Sequence, residues 1–425
     1  MLSRALTTPP ISPTDFVSPE PVFKTNELDH QAALLLTPPT SPRLMRTSSD
    51  FSRILQPTTN TSNTPSQRRS SHAKDFNGNS DEDTLASGEV IECAFDVEVL
   101  KDQRGRDQVF GTGAWSIVYK AIGRAKYGVV DQTSNPSFRR NSIPVFVAVK
   151  TPSRRDAIPI LKSEAMIMSE LTRTFECDEN VVPFYGIIPS TNSIVMAAVP
   201  LSLEDHIKSC ARKESGARST WDTPGPVVGS TAVWLDLAKR SISALAWLHE
   251  DAIVVHGDIK PGNILLRLSR QGEDKFGYDP LLTDFSSGQL LEAEAVTPNT
   301  LSAITREYAA PELLTSAVLK NPESAATTAS DIFSLAVTLL VCATGELMVY
   351  SGGVWQRQAM ATQGWNIMNN VRNGEQGDRI PRHGVVEQVL EKAVLRADMG
   401  RIDAQAWKTL VEEKARGEPA KMMPV

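Results

Sequence analysis

The sequence predicts an α+β catalytic unit of two lobes behind a disordered N-terminal tail. Three observations predict it. Composition changes near Gly88: residues 1–88 are rich in Ser, Thr, Pro and Asn, with no sustained period of 3.6 or 2. Strand-like apolar segments come first after that point, and long helical patterns follow. One stretch, His256–Leu266 (HGDIKPGNILL), then sets Asp258, Lys260 and Asn263 within six residues, just after an amphipathic helix. That is a base, a cation and an amide at the spacing phosphoryl transfer needs.

The tail cannot bury enough apolar area to offset chain entropy. It contains a repeat, LTTPPISP at Leu6–Pro13 and LLTPPTSP at Leu35–Pro42. Ser/Thr-Pro dipeptides begin at Thr8, Ser12, Ser18, Thr37, Ser41 and Thr64. Proline there enforces an extended backbone suited to an enzyme groove, which points to an upstream Pro-directed kinase. Two phosphates four residues apart would suit an Arg-lined pocket. The Leu-preceded T-P-P-x-S also resembles a phosphodegron read by F-box-type ubiquitin ligases. Arg43–Ser49 and Arg68–Ser71 fit basophilic kinases. Chance occurrence in a Pro/Ser-rich segment is the plain alternative.

Net charge is -6, so no strong basic balance argues for nucleic acid. Cys93, Cys177, Cys210 and Cys342 are scattered without a C-x-x-C pair, which reads as free thiols in a reducing compartment. No apolar run reaches membrane-spanning length, and the first residues lack a secretory apolar stretch. Cytoplasm or nucleus is the expected location.

In GTGAWSIVYKA (Gly111–Ala121), Gly111 and Gly113 let backbone N–H groups approach phosphates, and Val118 offers an apolar surface to a purine base. Trp115 lies at the loop tip, as a packing residue or a phosphate lid. VFVAVK is a continuous apolar run, as in a strand buried on both faces, and it ends in Lys150. A helix is predicted over Ala157–Thr172, with Ile160, Glu164, Ile167, Met168 and Leu171 on one face. A carboxylate on an otherwise apolar face wants a cation, and Lys150 is the predicted partner of Glu164. Glu170 points away from that stripe. Ser193–Val199 reads as a buried strand running into a linker. Polar excursions at residues 123–143 and 210–230 are expected to be surface loops.

Thr231–His249 reads as a helix with Leu237, Ser241, Ala244, Leu245 and Leu248 on one side. Asp258 is the candidate base, Lys260 the candidate neutralising cation and Asn263 a metal-binding amide. Ile264–Leu266 is a short predicted strand, and the polar stretch Arg267–Pro280 loops back toward it. LLTDFS (Leu281–Ser286), TREYAAPE (Thr305–Glu312) and SDIFSLAVTLL (Ser330–Leu340) follow. Glu312 needs a buried cation, for which Arg401 in the last helical region is the candidate.

In chain order these segments resemble the eukaryotic-type Ser/Thr protein kinases. GTGAWSIV is similar to G-x-G-x-x-G-x-V, with Ser116 in place of the third glycine. VAVK matches. HGDIKPGN resembles H-R-D-L-K-x-x-N, with Gly257 in place of Arg, and DFS resembles D-F-G, with Ser286 in place of Gly. TREYAAPE matches T-x-x-Y-x-A-P-E. The resemblance implies the bilobal protein-kinase fold over residues 89–417, with an N-lobe of about 89–199 and a C-lobe of about 200–417.

It also implies ATP and Mg²⁺, and protein substrates. Lys150, fixed by Glu164, would bind the α/β-phosphates. Ala148 would belong to the nucleotide site, Met196 would be the gatekeeper, and Ala197–Val199 would form the hinge whose backbone binds adenine. Asp284 and Asn263 would hold Mg²⁺, and Phe285 would pack under the helix bearing Glu164. Thr305 would bridge to Asp258 and Lys260, as in Ser/Thr kinases, and Asp331 would brace the catalytic loop.

Two other readings stay open. Small-molecule phosphotransferases of the aminoglycoside and choline kind share HGD and the Asn, but generally lack the T-x-x-Y-x-A-P-E segment. A pseudokinase scaffold usually lacks the lysine or an acid, and Lys150, Glu164, Asp258, Asn263 and Asp284 are all present here. Gly257 has no side chain to bind an activation-segment phosphate. Activity is therefore expected not to depend strongly on phosphorylation within Ser286–Thr305, although Thr297-Pro298 is a plausible site.

Overall fold

The computed structural model describes residues 88–125, 144–215, 224–269, 276–291, 304–321 and 326–417. The tail repeats, the basophilic sites and Thr297 lie outside the described residues.

Six strands form the first layer: β1 (Phe95–Val99), β2 (Val109–Thr112), β3 (Ser116–Ala125), β4 (Val145–Pro152), β5 (Phe184–Ile188) and β6 (Ser193–Ala197). Their order is β1-β3-β4-β6-β5, all antiparallel, with β2 also paired to β3. Side chains alternate across a strand. On β4, Val147 and Val149 join a small core with Ala121 and Val195, whereas Ala148 packs into the main core. Lys150 therefore emerges on the face of Ala148, toward helix α1 (Ile158–Arg173). That helix buries Leu161, Glu164, Ala165, Ile167, Met168 and Leu171. A single helical turn, α2 (Cys177–Asn180), precedes β5.

The second lobe is helical. Helices α3 (Leu203–Ser215), α4 (Thr231–Glu250), α5 (Ser316–Lys320), α6 (Thr328–Thr344), α7 (Val354–Ala361), α8 (Ile367–Arg372), α9 (Val385–Leu390) and α10 (Ala404–Gly417) follow in order. Helix α6 is apolar all round and buried from Ser330 to Thr344, as expected of a core helix. A Thr327/Ser330 capping box starts it, and Gly345, at φ +78°, stops it. The buried indoles of Trp234 and Trp407 donate to the carbonyls of Leu339 and Val389 at 2.9 and 2.7 Å. Between the helices, β8 (Ile264–Leu268) pairs with β9 (Tyr278–Leu282), and β7 (Val254–Val255) with β10 (Gln289–Leu290).

This is the two-lobed α+β architecture expected from the sequence, with four local corrections. Strand β3 runs to Ala125, inside the first expected loop, because Gly123–Ala125 pair with Phe95–Val97 of β1. Helix α3 runs to Ser215, inside the second, and Arg212 and Lys213 are exposed there. The stretch expected to be polar loop is partly hairpin, since Arg267 and Leu268 pair with Asp279 and Tyr278. Arg401 lies ahead of the last helix rather than in it. Cys93, Cys177, Cys210 and Cys342 are free thiols. No helix among the described residues is long and apolar enough to cross a membrane.

Candidate functional site

Strand β4 carries Lys150 to the inner face of the sheet, and α1 brings Glu164 to it. The Lys150 ammonium donates to Oε1 and Oε2 of Glu164, both at 2.7 Å, and to Oδ1 of Asp284 at 2.7 Å. The Lys150 and Glu164 side chains are 6% and 1% exposed, whereas that of Asp284 is 37% exposed. Glu170 stays out of this cluster; it pairs with Arg173 and accepts from the N–H of Gly88.

Burial works against the charge on Lys150, but Asp284 and Glu164 overcome it and hold the ammonium above its usual range. Burial also opposes ionisation of Asp284, yet Lys150 holds that carboxyl below the usual carboxylate range. For Glu164 burial wins: its carboxyl is pushed up to about 7, with the charge of Asp284 adding and that of Lys150 opposing.

The catalytic loop lies below. Lys260 donates to Asp258 Oδ2 at 2.6 Å and to Thr305 Oγ1 at 2.7 Å. The N–H of Thr305 donates to the other carboxylate oxygen at 2.9 Å. Asn263 Nδ2 donates to the Asp258 carbonyl at 2.8 Å, which leaves the amide oxygen for a ligand. Asp331 braces the loop by accepting from the N–H groups of His256 and Gly257, at 2.7 and 2.9 Å. Arg401 pairs with both oxygens of Glu312.

The β8–β9 hairpin joins the two halves of the site. Its register sets Ile264 opposite Leu282, and the N–H of Thr283 donates to the Asn263 carbonyl at 3.1 Å. Asn263 and Asp284 therefore leave the same end of the hairpin. One carboxylate and one amide oxygen form a hard, partial ligand set, suited to Mg²⁺, which keeps waters and binds substrate phosphates. Phe285 is fully buried below, with its ring 4.7 Å from that of His256.

Above the cluster, the N–H of Gly113 closes a tight loop onto the Ser116 carbonyl at 2.8 Å. A Cβ at Gly111 would meet open space. Val118 and Ala148 pack into the main core, and Met196 lies opposite Ala148 in the sheet. Past Met196, the N–H of Ala197 donates to Pro183, while the N–H of Val199 makes no hydrogen bond among the described residues.

Gly257 takes φ +82°, and a Cβ there would lie 2.3 Å from the Ser287 carbonyl oxygen. A side chain at this position must displace the turn after Phe285, so close approach dictates glycine here.

Sequence reasoning missed three features. Trp115 stacks beneath the Arg154 guanidinium, 4.5 Å from ring centre, and its carbonyl accepts from the N–H of Ser153. His249 Nε2 lies 3.1 Å from Asp331 Oδ2; a histidine ending an apolar helix face was the available signal. The segment from Gly88 straps along α1, where the N–H of Ile91 donates to Ser169 and Arg173 donates to the Glu89 carbonyl. No local pattern marks it.

A match to the protein kinase domain covers residues 111–398, more than half of the chain. The chain belongs to the protein kinase family. It is 28% identical over 235 residues to an L-type lectin-domain containing receptor kinase VI.2 of Arabidopsis thaliana, covering 54% of this chain and 30% of the relative. It is 29% identical over 180 residues to a serine/threonine-protein kinase ISR1 of Eremothecium gossypii, covering 40% and 45%. The ISR1 of Saccharomyces cerevisiae is 25% identical over 239 residues, covering 52% and 49%. The chain thus spans half or less of the length of each.

Proposed function

From this family membership we propose that the chain is an ATP-dependent Ser/Thr protein kinase. The observation that carries the reading is the convergence of Lys150, Glu164 and Asp284 with Asp258, Lys260, Asn263 and Thr305. Lys150, fixed by Glu164, binds α/β-phosphate oxygens. Gly111 and Gly113 leave backbone room for the phosphates, while Val118, Ala148 and Met196 enclose the base. The Ala197–Val199 hinge offers the N–H of Val199 to adenine. Asp284 and Asn263 would hold Mg²⁺, which would supply charge neutralisation at the phosphates.

Asp258 orients the substrate hydroxyl and accepts its proton as the new O–P bond forms and the bond to ADP breaks. Lys260 offsets charge on the transferred group, and Thr305 holds Lys260 and Asp258 in place. Catalysis is positioning and electrostatics, with no covalent enzyme intermediate. The Lys260–Thr305 contact and the Ser/Thr kinase relatives favour hydroxyls of Ser and Thr. The test is Mg²⁺-ATP turnover on a generic basic protein beside an Asp258→Asn variant. Equal signals from the two would leave a nucleotide- or partner-binding scaffold.

Two regulatory readings accompany this one. Gly257 cannot bind an activation-segment phosphate, so activity does not depend strongly on phosphorylation within Ser286–Thr305. A large loss after phosphatase treatment, mirrored by Thr297→Ala, would overturn that. The Ser/Thr-Pro dipeptides of the tail support a Pro-directed upstream kinase and an F-box-type ligase as partners. Phosphosite mapping of the purified protein and turnover of a Thr37→Ala variant in cells test both.

A further inference from the structure

The strap Gly88–Cys93 lies ahead of the residues that match the protein kinase domain, so that match does not account for it. It runs between helix α1 and strand β5 and is held on both sides. Toward α1, the N–H of Ile91 donates to Ser169 Oγ at 3.0 Å and the N–H of Gly88 to Glu170 Oε1 at 2.8 Å. Arg173 donates to the Glu89 carbonyl at 2.6 Å. Toward β5, the N–H of Cys93 donates to the Ile187 carbonyl and the N–H of Ile187 to the Ile91 carbonyl, both at 2.9 Å. A Cβ on Gly186 would lie 2.6 Å from the Cys93 nitrogen, so the strap is closely seated on the strand. Val90 and Ile91 pack against the main core, and Cys93 is buried in the small core with Val147, Val149 and Val195.

The strap meets α1 on the side away from Glu164. At about 100° per residue, Ser169, Glu170 and Arg173 lie about 140°, 240° and 180° around the helix from Glu164. Ser169 is fully buried under the strap. Lys150 grips the near side of the helix through Glu164. Glu164 is itself buried, and a buried carboxylate regains water when its helix swings outward. Backing from the far side opposes that movement. We propose that Gly88–Cys93 is a positioning clamp: it holds α1 from behind, keeps Glu164 against Lys150, and so raises the affinity of the site for ATP phosphates. This deepens the kinase reading and rests on it.

The experiment uses the full chain. Ile91→Pro deletes the N–H that Ser169 accepts, and Ser169→Ala deletes the acceptor. Ile91→Val keeps the N–H and is the conservative control. Binding of a fluorescent ATP analogue with Mg²⁺ is read by anisotropy, and hydrogen exchange of α1 amides by mass spectrometry. Each deletion is expected to weaken the analogue about tenfold and to raise KM for ATP similarly, with kcat changed less. Exchange is expected to rise at α1 rather than throughout the chain. Ile91→Val is expected to match the parent. On a Glu164→Ala background the deletions are expected to add little, because the clamp acts through that residue.

Unchanged exchange at α1 in both deletions overturns the proposal, and so does unchanged affinity where the parent binds the analogue. A fall in kcat with KM unaltered overturns it too, as does a full tenfold loss on the Glu164→Ala background. Turnover by the parent with strap-independent binding removes the clamp and leaves the kinase reading. Strap-dependent binding without turnover does the reverse. If the parent binds no nucleotide, the kinase reading falls, and exchange at α1 alone decides the clamp.

Discussion

The two charge clusters of the site are built in opposite ways. Lys150, Glu164 and Asp284 come from a strand, a helix and a loop, separated by 14 and 134 residues. Lys150 and Glu164 meet where water is largely excluded, with Asp284 at the solvent edge. Asp258, Lys260 and Asn263 lie within six residues on one loop, and only Thr305 joins from a distance. Their ion pair keeps more contact with solvent than Lys150–Glu164 does: the Lys260 side chain is 28% exposed. In the upper cluster Lys150 depends on the two carboxylates, and each of them on Lys150, to stay charged, so its members act on stability. In the lower one, solvent reaches Lys260 and Thr305 shares the burden, so under the proposed kinase reading its members would act mainly on rate.

Lys150→Met breaks the upper cluster most severely. Removing one partner of a buried pair costs about 3–5 kcal/mol. Here Asp284 keeps some solvent and Glu164 can take a proton, so we expect the low end, about 3 kcal/mol, in urea unfolding. An unchanged midpoint would mean that the cluster is no more interdependent than the lower one. Gly257→Ala comes next, because the stability sensitivity of the lower region lies in its backbone. A left-handed alanine costs about 1–2 kcal/mol, and displacing the Ser287 carbonyl adds to it. A neutral result would show that the turn after Phe285 yields freely. Asp258→Asn is smaller still in stability, within about 1 kcal/mol as for partly solvated pairs, while turnover falls by about 10²–10⁴-fold. A large drop in melting temperature would erase the distinction between the clusters.

Legibility in the sequence follows the same divide. Asp258, Lys260 and Asn263 stand out because their geometry is local. Glu164 and Lys150 could be paired only by noticing one acid on an apolar helix face. The helices expected at Ala157–Thr172 and Thr231–His249 fall within a residue of α1 and α4, since apolar spacing reports directly on burial. Strand β1 was not foreseen. Its partner lies at Ala121–Ala125, and strand pairing depends on register that composition does not carry. The same is true of the Gly88–Cys93 strap, which is held mainly by backbone groups. Gly257 read as a lost arginine; only the fold shows a carbonyl where its Cβ would be.

The finest test of the contrast is pH. The folded Glu164 carboxyl sits at about 7, above its ordinary 4.5. Between those values the native state keeps a proton that the unfolded chain has released. Its contribution to stability is therefore complete below about pH 4.5 and is lost as pH rises through about 7. Asp284 has the opposite sense: its carboxyl is held below 3.8, so its contribution is present above that value and is lost only in stronger acid. Across pH 4.5–7, then, Glu164 rather than Asp284 sets the slope, and it slopes downward. Glu164→Gln removes a titrating group while keeping its shape. The unfolding free energy of the parent, relative to this variant, should fall as pH rises across that range. Parallel curves would mean that Glu164 is ionised throughout in the folded protein. Lys150 would then satisfy both carboxylates at once, and burial would not distinguish the upper cluster from the lower.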